Sequence, residues 1–148
     1  MVNYWVLVVT DQKVKDRVLE AIDLFNNRMR HKFWSFSKKN PRLKRVTKGD
    51  KVAFFRGGED GNVFVGTAKL ASDPSPPSRE LKRYVIDMPE TMMKKVRLEE
   101  IHLFDKPRPV SDLVDKLSFI KKKERWQAYF QGGLVQISEQ DYNTIAAV

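Results

Sequence analysis

Cysteine is absent from this chain. Disulfide bonds, thiolate-bound metals and cysteine nucleophiles are therefore excluded outright. Histidine is scarce. His31 and His102 are the only two, so the i, i+4 histidine pair with which a helix binds zinc cannot form. No glycine loop of the Walker type is present, and no serine is set beside a histidine in a recognisable nucleophilic pattern. Gly57-Gly58 and Gly132-Gly133 read as turns, although successive N–H groups there could form small anion nests. Long apolar runs are missing too. The apolar opening, Tyr4 to Val9, is closed by Asp11 and Lys13 and is too short for a signal peptide or a membrane span. The expectation is a cytoplasmic protein with no membrane partner, no metal and no cofactor.

What is abundant is positive charge. The formal net charge is +9 and the sequence pI is about 9.8. Such an imbalance favours an anionic partner and says nothing about fold. A hydrophobic content of 41% over 148 residues supports one folded domain, 1–148, with a real core. The charge is concentrated. From Arg28 to Arg45 no acid interrupts Arg28, Arg30, Lys32, Lys38, Lys39, Arg42, Lys44 and Arg45, and Phe33, Trp34 and Phe36 lie among them. Cations attract phosphate and an exposed aromatic face stacks on a base, so this interleaving suits a nucleic-acid site. It equally suits a core tryptophan on a strand whose outer face is solvated. A second basic group, Lys121, Lys122, Lys123 and Arg125, is a candidate phosphate contact or simply a wet surface.

Periodicity organises the chain. Tyr4 to Val9 is a buried strand. Val14, Val18, Ile22 and Phe25 share one helical face, with Thr10 or Asp11 as cap and Asn26-Asn27 as the end. Lys32 to Phe36 is a short aromatic strand and Lys38 to Arg45 a polar loop. Lys51–Arg56 and Val63–Leu70 form a hairpin around a glycine-rich turn. Ser72 to Ser78, with Pro74, Pro76 and Pro77, is a surface loop. Leu81 to Met88 and Lys94 to Ile101 read as strands, and Pro107 and Pro109 break the pattern. Leu113–Leu117 and Lys122–Phe130 read as short helices. Ser138 to Asp141 resembles a capping box opening a last helix to Ala147. The sum is an α+β domain of about six strands, mostly in hairpin order, curled into a small barrel with peripheral helices.

One pattern points to catalysis. Asp73, Glu80 and Lys82 resemble the Asp…Glu-x-Lys set of metal-dependent nucleases, in which two acids hold a divalent ion and a lysine steadies water. In a chain that is 32% charged, Glu-x-Lys arises easily by chance.

The C-terminal block of Phe119, Trp126, Tyr129, Phe130 and Gly132, followed by Ile137, Ser138 and Asp141, resembles the signature of the EVE domain family, a group of PUA-like barrels. Asn3 to Val6, Lys48 to Phe55 and Val65 to Leu70 match in order. Trp34-Ser35 is also similar to the related YTH domains, since many EVE domains carry glycine after that tryptophan. Gln136 stands where relatives often carry arginine. The resemblance implies a non-enzymatic reader that holds a flipped or unpaired modified base, methylated above all, in an aromatic cage. It also implies kinship with the recognition part of McrBC-type restriction systems, and so a partnership with a larger restriction complex if the domain is part of one.

On this reading Trp34 is the first candidate wall. Ser35 and Asn3 are candidates for the base edge and Tyr84 for a second wall. Phe54 and Phe55 face opposite ways, so one is core and the other, Phe55 or Phe54, is a pocket candidate. Arg30, Lys32, Lys38, Lys39, Arg42, Lys44 and Arg45 are the phosphate candidates, with Lys121, Lys122 and Arg125 as a second patch. Trp5 reads as core, and Trp126 as a clamp for the C-terminal segment. The competing functions are the nuclease above and a basic RNA-binding adaptor with no base pocket.

Overall fold

The computed structural model describes residues 2–14, 16–58, 61–79 and 93–147. Tyr84, Glu80 and Lys82, and the strand expected at Leu81 to Met88, lie outside the described residues.

The organising strand is β1, Tyr4–Val9. Its alternation sends Trp5, Leu7 and Val9 into one apolar cluster and Val6 into another on the opposite face. β2 (Gln12–Val14) and β3 (Arg17–Leu19) form a small separate hairpin. Helix α1 (Ala21–His31) then leads through Lys32 in the left-handed conformation (φ 54°) into β4, Phe33–Ser37. A 3₁₀ turn at Pro41–Arg45 precedes the hairpin of β5 (Lys51–Arg56) and β6 (Val63–Leu70). β7 is long, Met93–Pro109. Three 3₁₀ segments, at Val110–Asp112, Val114–Lys116 and Lys123–Phe130, lead to β8 (Leu134–Ile137) and α2 (Glu139–Ala146).

Six strands make one mixed sheet in the order β4-β7-β6-β5-β1-β8, with β1 parallel to β5 and antiparallel to β8. The sheet curls because β7 serves two neighbours. Its first residues pair with β4 (Trp34 opposite Val96) and its later ones with β6 (Gly66 opposite Leu103). Between them Glu100 takes φ 51°, and β6 carries two irregularities. Gly66 permits the close approach at this bend: a Cβ there would lie 2.5 Å from the carbonyl oxygen of His102. The result is a curled α+β half-barrel, in keeping with the small curved sheet that the sequence leads one to expect.

Two apolar clusters fill the faces. One joins Trp5, Leu7, Leu24, Phe25, Trp34 and Phe54 under α1. The other joins Phe55, Phe64, Leu117, Ile120, Phe130 and Tyr142 under the 3₁₀ segments and α2. Two buried carboxylates tie loops to this frame. Asp50 accepts hydrogen bonds from Trp5 Nε1 (2.9 Å), the Asn3 amide (3.0 Å) and the Thr47 amide (3.0 Å). Asp141 accepts from the Ser118 amide and hydroxyl (both 2.8 Å) and the Phe119 amide (3.0 Å).

Three expectations need correction. The helix starts at Ala21, not near Val14, and runs past Asn26-Asn27 to His31. The Val14-to-Phe25 spacing misled because Val18 (62% exposed) and Ile22 (43%) face solvent, whereas Ala21, Leu24, Phe25 and Arg28 form the buried stripe. Asp11 still serves the helix, since its Oδ1 accepts from the Ala21 amide at 2.8 Å across the intervening hairpin. The strand expected to stop at Ile101 runs on to Pro109, and Pro107 and Pro109 are tolerated because they lie among its last residues, where few ladder bonds are lost. The capping box is half formed. Ser138 Oγ accepts from the Asp141 amide, but the Asp141 carboxylate turns to Ser118 and Phe119 instead of back to the helix start.

Candidate functional site

Among the described residues the ends of the sheet order are β4 and β8, and a cleft of about 310 Å³ lies between β4 and the Phe130–Gly133 segment that leads into β8. Trp34, Ser35, Phe36 and Ser37 of β4 line one side, joined by Arg28 of α1. Phe130 and the backbone of Gln131, Gly132 and Gly133 line the other. Both glycines have positive φ (87° and 77°), a conformation that side-chain-bearing residues adopt only with strain. The seam is pinned by polar bridges. Asn40 Nδ2 donates to the Gly132 carbonyl (3.1 Å), and Arg42 Nη1 donates to the Leu134 carbonyl.

Trp34 is 1% exposed. Phe54 stacks on it with centroids 5.1 Å apart and planes at 23°, and Phe25 meets it edge-on at 6.3 Å. The Arg28 guanidinium carbon sits 4.4 Å from the ring centroid, an attractive cation–π geometry. Arg28 Nη2 also donates to Ser35 Oγ at 3.2 Å. Trp34 is therefore at once a core residue and part of the cleft lining, where Arg28 joins it. Arg28 is itself only 5% exposed.

Sequence reasoning brought Trp34 and Ser35 to one place, and the structure does the same. It does not bring the others there. Asn3 is not among the residues lining the cleft; its Nδ2 donates to the Arg45 carbonyl (2.9 Å) and its amide to Asp50. Phe55 lies on the opposite face, stacked on Phe130 at 4.2 Å, while Phe54 backs Trp34. Arg30, Lys32, Lys38, Lys39, Arg42, Lys44 and Arg45 are all exposed. Of these, Lys39 and Arg42 border a cavity of about 460 Å³ that adjoins the cleft mouth. Lys121, Lys122 and Arg125 are exposed too, but are not among the cleft-lining residues. Asp73 is exposed and its Oδ1 accepts from the Lys48 amide at 2.7 Å, which fixes a turn. Among the described residues no three acidic or histidine side chains come together to hold a metal ion.

Arg28 and Asn40 are the site residues that sequence reasoning passed over. The signal for Arg28 was present. It continues the i, i+3, i+4, i+7 stripe of Ala21, Leu24 and Phe25, so an arginine stands where the helix buries its side chains. Asn40 carries no comparable mark, because Asn-Pro reads simply as a turn.

Comparison with known proteins agrees with this architecture. A UPF0310 protein of Pyrococcus abyssi is 33% identical over 115 residues, covering 72% of this chain and 78% of that protein. The N-terminal domain of Staphylothermus marinus McrB superposes with a TM-score of 0.59 at 14% identity, covering 96% of this chain and 92% of that one. The human THYN1 protein, solved in complex with DNA containing 5-methylcytosine, superposes with a TM-score of 0.60 at 9% identity, covering 97% and 95%. Likenesses at such identities concern the fold alone. The EVE domain model matches residues 3–148, and with the UPF0310 relative it shows that this chain belongs to the EVE domain family.

Proposed function

We propose that this chain is a non-catalytic reader domain that takes an unpaired or flipped modified base of a nucleic acid into the cleft between β4 and the Phe130–Gly133 segment. The observation that carries the reading is the cleft itself. It joins an aromatic floor, a buried guanidinium and two positive-φ glycines, and it opens beside Lys39 and Arg42. That a protein of this fold was solved with DNA containing 5-methylcytosine supports the same reading.

The geometry changes how the base would be held. Phe54 backs Trp34 and Arg28 packs beside it, and Trp34 and Arg28 together line the cleft, so an entering base would meet an aromatic ring and a guanidinium, both recognised stacking partners of unstacked bases. Ser35 Oγ accepts from Arg28, which leaves its hydroxyl hydrogen free to donate to a base acceptor. Gly132 and Gly133 allow the backbone to approach the other side of the base closely. A methyl group enclosed in such a cleft contributes about 0.8 kcal/mol, and stacking about 1–3 kcal/mol per base. Discrimination of a methyl group is thus roughly fourfold from burial alone, and more where the unmodified base leaves a void. Partnership with a larger restriction assembly belongs to this reading and rests on the fold shared with the McrB domain.

The test is paired binding. Single-stranded oligonucleotides of one sequence, with and without one 5-methylcytosine, are titrated against the protein, then a second pair carrying N6-methyladenine. A preference of fourfold or more for one modified strand supports the reader. Equal affinity for every pair, with steep salt dependence, favours the basic adaptor instead. Magnesium-dependent cleavage of either strand would overturn the non-catalytic reading.

A further inference from the structure

The cleft does not end at Asn40. The neighbouring cavity of about 460 Å³ shares Ser37, Asn40, Gln131 and Gly132 with it. A third cavity, of about 400 Å³, shares Lys39, Asn40 and Pro41 with the second and reaches Lys38, Lys44 and Lys94. The three form one continuous trough across the 3₁₀ turn at Pro41–Arg45. Lys38, Lys39, Lys44 and Lys94 are exposed, and none of their ammonium groups has an ion-pair partner among the described residues. Pro41, Leu43 and Pro74 supply apolar surface between them. A row of unpartnered cations along an apolar-lined trough suits a single polyanionic backbone with its sugars, not a duplex with phosphates on two sides.

The other side of the cleft differs. Beyond the wall at Thr10 and Gln12 lies a separate cavity of about 220 Å³, whose described lining includes Asp11, Glu20 and Arg56. Carboxylates there repel a phosphate backbone. The run of cations that borders the cleft therefore lies on the side of Ser37 and Asn40.

We propose that the trough from Ser37 to Lys94 seats the single-stranded flank on one side only of the bound base, so that the protein binds a base with a strict strand polarity. The inference rests on the base-binding reading of the cleft and adds the path and direction of the strand.

The test uses the full chain and fluorescent single-stranded DNA carrying one 5-methylcytosine. The strand is lengthened from one to six nucleotides on the 5′ side only or the 3′ side only. Extension on one side should raise affinity at least tenfold and extension on the other less than twofold. The double variant Lys38→Glu, Lys94→Glu should lose most of the one-sided gain and keep the methylated-to-plain affinity ratio of the shortest strand. Equal gains on both sides, or a gain unchanged in the variant, would overturn the trough. So would competition by a polyglutamate peptide as effective as that of the strand, which would assign the trough to an acidic protein. A one-sided gain that disappears in the variant, with no preference for 5-methylcytosine or, in matched strands, for N6-methyladenine, supports the trough and sinks the modified-base reading alone.

Discussion

Two segments of this chain look alike on paper: 28–45 and 119–130. Each interleaves aromatic rings with lysine and arginine, and each contains a 3₁₀ turn. The fold treats them differently. In the first, Trp34 lies on an edge strand beside the open seam of the sheet, and the cations of the following turn border the cleft mouth. In the second, Trp126 packs edge-on against Phe55 (6.4 Å) and Phe130 (5.9 Å), and Asp141 holds the chain at Ser118 and Phe119. The cations of that segment sit over a closed apolar cluster. Charge with aromatics is thus a candidate site only where the topology leaves a gap beside it. Otherwise it is a clamp with a solvated surface.

The comparison can be broken most forcefully at the two tryptophans. Trp34→Ala removes a ring that is 1% exposed and stacked on Phe54, and should cost about 3–5 kcal/mol of stability in denaturant titration. Trp126→Ala removes a half-buried ring and should cost about 1–2 kcal/mol. Equal losses would mean that the two rings share one role. Trp34→Phe is accordingly the better variant for binding studies.

The clamp has its own weak point. Asp141→Ala strands the buried-side donors of Ser118 and Phe119, which should cost about 1–3 kcal/mol. Nucleic-acid affinity of the folded fraction should stay within twofold of the parent. A folded variant with affinity lost would move the site to the second segment.

Charge reversal sharpens the contrast between the cations. Lys38→Glu, Lys39→Glu and Lys44→Glu together should weaken oligonucleotide binding on the order of tenfold or more and flatten its salt dependence. Reversing Lys121, Lys122 and Arg125 should weaken it only slightly. Similar losses from both sets, measured at the same ionic strength, would erase the distinction. The smallest effect is expected at Gly132, where φ is 87° and an added Cβ meets nothing nearer than Arg42 Nη1 at 4.0 Å. Gly132→Ala should cost roughly 1 kcal/mol of stability from backbone conformation, read by denaturant titration.

How far the sequence could be read follows from where its signals were local. The β5–β6 hairpin was legible to its ends, because alternation and the glycine turn are local features. The first helix was misplaced because Val14, Val18 and Ile22 mimic a helical face while a two-stranded hairpin precedes the true stripe. β8 was not separated from its surroundings, since four residues carry too little pattern. At the site, Trp34 and Ser35 were visible by their place in the basic run. Which of Phe54 and Phe55 backs Trp34 depends on the register of β5 against β1, where Phe54 lies opposite Leu7 and Phe55 opposite Val8, and no local signal carries that. The partnership of Arg28 with Trp34, and of residues 37–40 with 131–133, exists only once the sheet has curled.

The most direct test of the central claim is to map the bound strand on the protein. Amide and tryptophan Nε1 resonances are followed as a methylated single strand is added at physiological salt. The cleft account predicts that Ser35, Asn40, Gly132, Gly133 and the Trp34 indole move first, followed by Lys38, Lys39 and Lys94, while residues 121–125 stay still. Shifts confined to 121–125, with Ser35, Gly132 and the Trp34 indole unmoved, would contradict it.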